Sequence, residues 1–148
     1  MLYEPFQTDG CNTVLPLAPA FVNLLTNPAF DNGLAGWEEA QQSDGSLTLS
    51  QALPYRAPAN APFEVLLDLG NSTAAPQDVI VTLNDVSCTF TLQPGGELHG
   101  SYAVRGLAVT DWSGIALHIN ARPGVTVDNV SAQYVPGEFT VGQCGAVN

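Results

Sequence analysis

Phe63-Glu64-Val65-Leu66-Leu67-Asp68-Leu69 sets Phe63, Val65, Leu67 and Leu69 on one side of an extended chain and Glu64, Leu66 and Asp68 on the other. Successive side chains of a strand point to opposite faces, so a period of two marks a strand with one buried face. Outward from there, Val79, Val81 and Leu83 alternate with Ile80, Thr82 and Asn84, while Ile115, Leu117 and Ile119 alternate with Ala116, His118 and Asn120. Cys88, Phe90 and Leu92 alternate with hydroxyl residues, and 46–53 and 98–109 are further strand candidates. In the last strand the apolar set changes parity, from Val125 and Val127 to Val130, Ala132 and Tyr134. A bulge near Asp128 and Asn129 accounts for that change, because one extra residue swaps the faces. Asn32-Gly33, Asp44-Gly45, Gly70-Asn71-Ser72, Asn84-Asp85, Pro94-Gly95-Gly96 and Pro123-Gly124 supply turns between the runs. No ten-residue stretch carries helical periodicity. The pattern predicts an all-β, antiparallel two-sheet sandwich over 21–135, with Val65, Leu67, Val81, Phe90, Leu92, Leu117 and Ile119 facing its core.

Two phrases select among sandwiches. The first is Asn23-Leu24-Leu25-Thr26-Asn27-Pro28-Ala29-Phe30-Asp31-Asn32-Gly33-Leu34-Ala35-Gly36-Trp37, and the second is Val125-Thr126-Val127-Asp128-Asn129-Val130-Ser131. The chain resembles the jelly-roll carbohydrate-binding modules (galactose-binding-like β-sandwiches), which open and close on phrases of this kind and are also used in phage virion structural proteins. The resemblance implies a jelly roll that is a binding or building module. It also implies a structural calcium held by an acidic residue of each phrase, here Asp31 and Asp128, together with main-chain carbonyls, a mixture calcium tolerates.

The charge balance narrows the partners. Fourteen acidic residues face only Arg56, Arg105 and Arg122, with no lysine, for a net charge of -11 over 148 residues. Phosphate backbones and anionic lipid surfaces are recognised by clustered Lys and Arg, so neither nucleic acid nor membrane is an expected partner. No apolar run approaches the ~20 residues that span a bilayer. The first residues lack the basic start and apolar centre of a secretory leader, so either the chain is not exported by that route or a leader has been removed and replaced; a virion surface is the expected location, with a secreted, extracellular one as the alternative.

Catalytic motifs are missing. There is no G-x-S-x-G, H-E-x-x-H or P-loop, and His99 and His118 are the only imidazoles. Adjacent Glu38 and Glu39 point to opposite sides of a strand, which spoils the convergence a glycosidase needs. The reading is not an enzyme. Glycan recognition calls for aromatic faces with amides and carboxylates nearby, and Trp37, Tyr55, Tyr102 and Trp112 are the candidates. In the resembling modules both tryptophans usually pack at sheet edges or in the core, so Tyr55, in an irregular loop, is the freer one. Cys11, Cys88 and Cys144 match no zinc spacing. Cys88 reads as a small core hydrophobe, while Cys11 and Cys144 lie in the two flanks and can bridge if those flanks meet. Asn71-Ser72-Thr73 and Asn129-Val130-Ser131 match the N-glycosylation acceptor pattern and read as chance occurrences without a leader.

Residues 1–20 form an extended arm with three prolines, and 136–148 a Gly-rich tail. Both are too apolar for idle linkers. Leu2, Tyr3, Phe6, Leu15 and Leu17 are expected to bury against a neighbouring subunit. The functional expectation is a non-catalytic virion structural protein, such as a capsid decoration or other minor virion protein. Its arm and tail would contact other virion proteins or copies of itself in an oligomer. The alternative is a carbohydrate-binding module that holds a glycan through surface aromatics.

Overall fold

The computed structural model describes residues 15–95, 99–108, 111–136 and 143–147. Among them the chain forms nine strands and no helix: β1 (Glu38–Gln41), β2 (Leu47–Ala57), β3 (Pro62–Asn71), β4 (Gln77–Leu83), β5 (Val86–Leu92), β6 (His99–Leu107), β7 (Trp112–Ala121), β8 (Val125–Tyr134) and β9 (Gln143–Val147). They make two antiparallel sheets, ordered β1-β2-β7-β4-β5 and β8-β3-β6-β9. This is the expected all-β sandwich.

Alternation dictates which residues meet. Phe63, Val65, Leu67 and Leu69 of β3 face Val79, Val81 and Leu83 of β4 and Ile115, Leu117 and Ile119 of β7 across one core, all buried. Every residue expected in the core is there, including Phe90 and Leu92. The parity change in β8 is a bulge: Leu66 pairs with Ser131 and Asp68 with Asp128, so Asn129 and Val130 stand opposite Leu67. Asn129 takes the left-handed conformation at φ 49°, which returns Val130 to the interior. Between β4 and β5 the chain turns on Asn84-Asp85, with Asn84 at φ 51°. The Asn84 side chain donates to the Gly114 carbonyl at 3.1 Å and accepts from the Ala116 amide at 2.7 Å, fastening this hairpin to β7.

Three expectations about the flanks are corrected. Residues 15–24 lie on the chain's own sandwich rather than leaving it: Leu17 pairs in parallel with Arg56 and Ala20 with Tyr134. Backbone bonds from Ala18 to Arg56 at 3.1 Å, Phe21 to Tyr134 at 2.8 Å and Leu24 to Ala132 at 2.9 Å carry the segment from β2 to the outer edge of β8. Leu15 and Leu17 therefore belong to a strap closing the chain's own edges, although the Leu17 side chain stays 52% exposed. Leu2, Tyr3 and Phe6 lie outside the described residues. The tail supplies β9, which pairs with β6 from Ser101↔Val147 to Arg105↔Gln143. It is a strand of the protein's own sheet, because the unsatisfied edge of β6 offers it a ladder.

The third correction concerns the cysteines. Cys88 is buried but not a free thiol: it is bonded to Cys144, with Cα atoms 5.8 Å apart. Cys144 stands opposite Val104 on β6 and so turns toward the first sheet, where Cys88 of β5 faces it. The bond joins the two sheets at one edge and excludes the Cys11–Cys144 pairing. Cys11 lies outside the described residues.

Candidate functional site: an edge cleft

The opening phrase folds into a loop built around Asn27. Its side-chain oxygen accepts the Asn32 amide at 3.1 Å, and its nitrogen donates to the carbonyls of Gly33 and Ala35, each at 3.0 Å. Its own carbonyl accepts the Trp37 indole N–H at 3.0 Å. Phe30 stacks on Trp37 with ring centroids 5.1 Å apart. Gly36, at φ 85°, passes so close to Thr26 that a Cβ there would sit 2.5 Å from the threonine hydroxyl. Only glycine combines that conformation with that approach. Gln51, buried on β2, holds the loop from below, accepting the Thr26 amide at 2.7 Å and donating to the Thr26 carbonyl at 3.0 Å. Val130 of β8 donates to the Pro28 carbonyl at 3.0 Å.

So anchored to both sheets, the loop sets Phe30 and Leu34 over the gap between the β1-β2 edge of one sheet and the β8 edge of the other. The result is a cleft of about 650 Å³. Leu47, Leu49, Val125 and Val127 give it apolar walls, and Gln41 and Arg122 bring polar atoms to it. Arg122 pairs with the Asp44 carboxylate at 3.2 Å and donates to the Asp44 carbonyl, also at 3.2 Å. The Asp44 carboxyl is held below its ordinary 3.8, first by the Ser46 hydroxyl, next by the Ser46 amide, with Arg122 adding to them. A lowered folded-state value stabilises the fold above the unfolded pKa and is lost as pH falls through the folded one, so this contribution disappears only below pH 3.8. An apolar trough with a guanidinium and an amide at its margins can cover the C–H face of a sugar ring and bond its hydroxyls.

The four aromatic candidates are not brought together. Trp37 and Trp112 are buried, 7% and 5% exposed, so neither presents a ring face to a ligand, and both are withdrawn as glycan contacts. Trp112 instead packs on Phe63, which also meets Tyr134. Tyr55 lies on β2 rather than in an irregular loop and is half-buried against the core, so it is not the freer ring expected of it. Tyr102 contacts Phe90 at 5.0 Å and lines a separate cleft of about 280 Å³ beside Pro94 and Gly95. Phe30, Leu34, Leu47, Leu49 and Arg122 were the missed residues. Phe30 and Leu34 were within reach, since the quoted opening phrase contains both, but Leu47, Leu49 and Arg122 are brought to them only by the pairing and stacking of the sheets.

The implied calcium does not fit the residues as arranged. The loop carbonyls of Gly33 and Ala35 point at the Asn27 amide, and Asp128 accepts the Asn129 amide at 2.8 Å. Asp31 is exposed, and among the described residues no three His, Cys, Asp or Glu side chains cluster as a metal would require. An amide N–H₂ does the cross-bridging that a cation would otherwise do. A chelator is therefore expected to leave the melting temperature unchanged, and a chelator-sensitive melt in protein that contains calcium would restore the site. Asn71 is likewise structural rather than an acceptor: it is 2% exposed, donates to the Ala75 and Leu92 carbonyls, and accepts from Thr73. Asn129 is exposed and bonded to Asp68 at 2.9 Å. Glu38 and Glu39 sit on the exposed β1, and His118 on the outer face of β7 stands opposite Ser50 and Thr82. The His99 side chain lies outside the described residues.

The architecture defines a carbohydrate-binding-module-like jelly roll. Its fold is similar to that of TmCBM61, a carbohydrate-binding module solved in complex with β-1,4-galactotriose, at TM-score 0.59 and 14% identity over 76% of this chain and 99% of the module. It is similar as well to the enzymatically active domain of bacteriophage CBA120 tailspike protein 4, at TM-score 0.59 and 9% identity over 76% of this chain and 21% of the tailspike chain. No family model and no curated protein matches the sequence. No helix among the described residues is long and apolar enough to cross a membrane.

Proposed function

We propose that the chain is a non-catalytic structural protein of a virion surface whose jelly roll engages a short, neutral glycan in the edge cleft. The cleft carries this reading: its volume of about 650 Å³ is that of a small-ligand site, its apolar walls suit C–H faces, and Arg122 and Gln41 suit hydroxyls. A neutral ligand is favoured because the net charge of -11 repels an acidic one. The phage context is supported by the tailspike likeness and the glycan context by the module solved with galactotriose. A free carbohydrate-binding module is the second reading, favoured because the likeness spans 99% of the TmCBM61 chain but only 21% of the tailspike.

Binding to an array of neutral oligosaccharides tests the site. Leu47→Trp, which fills the cleft, and Arg122→Ala, which removes its cation, are each expected to weaken binding by about tenfold or more, equivalent to ~1.4 kcal/mol. Because the Arg122–Asp44 pair is exposed, Arg122→Ala should change stability by no more than ~1 kcal/mol. Equal binding by both variants would move the glycan elsewhere, and no binding by the unaltered protein would remove it. Detection of the protein in purified particles distinguishes the virion reading from the free module.

A further inference from the structure

Of the four edge strands, two are protected among the described residues. β1 is short and carries Glu38 and Glu39, and the strap 15–24 covers the outer edges of β8 and of the second half of β2. The edge formed by β5 is different. Val86-Ser87-Cys88-Thr89-Phe90-Thr91-Leu92 has seven residues, no charge, no proline and no bulge, and it pairs with β4 without interruption from Val86 to Leu92. Among the described residues no main-chain hydrogen bond reaches it from its far side. Regular, uncharged edges present rows of unpaired N–H and C=O groups that recruit another strand. The Cys88–Cys144 bond anchors this edge to β9 and holds it in place.

We propose that β5 is an interaction surface for a second copy of this chain, the two strands pairing antiparallel about a twofold axis at Thr89. The sequence is complementary to itself in that register. Thr89 meets Thr89, Ser87 meets Thr91, Cys88 meets Phe90 and Val86 meets Leu92 of the other copy. Ser87, Thr89 and Thr91 are exposed on the outer face, where Ser and Thr pair favourably across strands. Cys88, Phe90 and Leu92 are buried on the inner face, so the apolar layer continues through the join. No like charges oppose each other on the strand, whereas β1 would bring the four glutamates of two copies close together. An isologous contact of this kind closes at two copies. The overall charge of -11 opposes association at a distance, so salt should strengthen it.

Sedimentation equilibrium over a concentration series tests the surface, with Thr89→Lys placing two cations on the axis. A dimer is expected whose dissociation constant falls with added salt and rises about tenfold or more in Thr89→Lys, with equal melting temperatures for the two proteins at dilutions where both are monomeric. In a Cys11→Ser background, Thr89→Cys is expected to form a disulfide between copies under oxidising conditions, since a residue on the axis faces itself at ~4.5–5.5 Å between Cα atoms. A monomer throughout the series, or a dimer that Thr89→Lys leaves intact, overturns the proposal. The glycan reading is unaffected by either result, because the cleft lies at the opposite edge of the sandwich.

Discussion

Reduction of the Cys88–Cys144 bond is expected to lower stability by about 4 kcal/mol, the loop-closure value for a bridge spanning 56 residues. The effect should be large because a domain of this size is stable by only ~5–15 kcal/mol in total. It should also be selective. The bond fixes β9, a five-residue strand held otherwise by its ladder with β6, so the tail is the first element to loosen. Denaturant midpoints with and without reductant, and in the Cys88→Ala/Cys144→Ala double variant, measure it. The three arginines make the pairing easy to verify. Trypsin cuts after Arg56 and Arg105 while Pro123 shields Arg122, so each cysteine falls in its own peptide: 1–56, 57–105 and 106–148. Unreduced digests should link the second to the third. A linked first peptide, or a midpoint indifferent to reductant, would refute the assignment.

Leu117→Ala should cost about 2–5 kcal/mol. Leu117 is fully buried at the centre of β7, the middle strand of its sheet, opposite Gln51 of β2 and Leu83 of β4. The loss has two parts: the transfer free energy of the deleted carbons, and the cavity left between two sheets that cannot close over it. His118→Ala, one residue away on the exposed outer face, should stay within ~0.5 kcal/mol. The pair tests the sandwich itself, for a strand with the opposite face inward would reverse the two costs.

Alternation along single segments was enough to read β3, β4, β5 and β7, their inward faces, and even the bulge at Asn129, because each follows from a period of two within a handful of residues. Strand β9 escaped, since Gln143-Cys144-Gly145-Ala146-Val147 is short and flanked by residues without a pattern. The same limit applied to Trp37 and Trp112: an aromatic at the start of a strand has the same local signature whether its ring faces solvent or core.

By itself the sequence determined the all-β class, the core residues, the turns and the acidity that disfavours polyanionic partners, all properties of neighbours along the chain. Only the tertiary structure decided the Cys88–Cys144 pairing, the strap across β2 and β8, the cleft joining Phe30, Leu49 and Val127, and the edge at β5 that no other described strand pairs with. Each of these depends on which strands lie side by side, and side chains far apart in sequence become neighbours only once the sheets have been ordered and stacked.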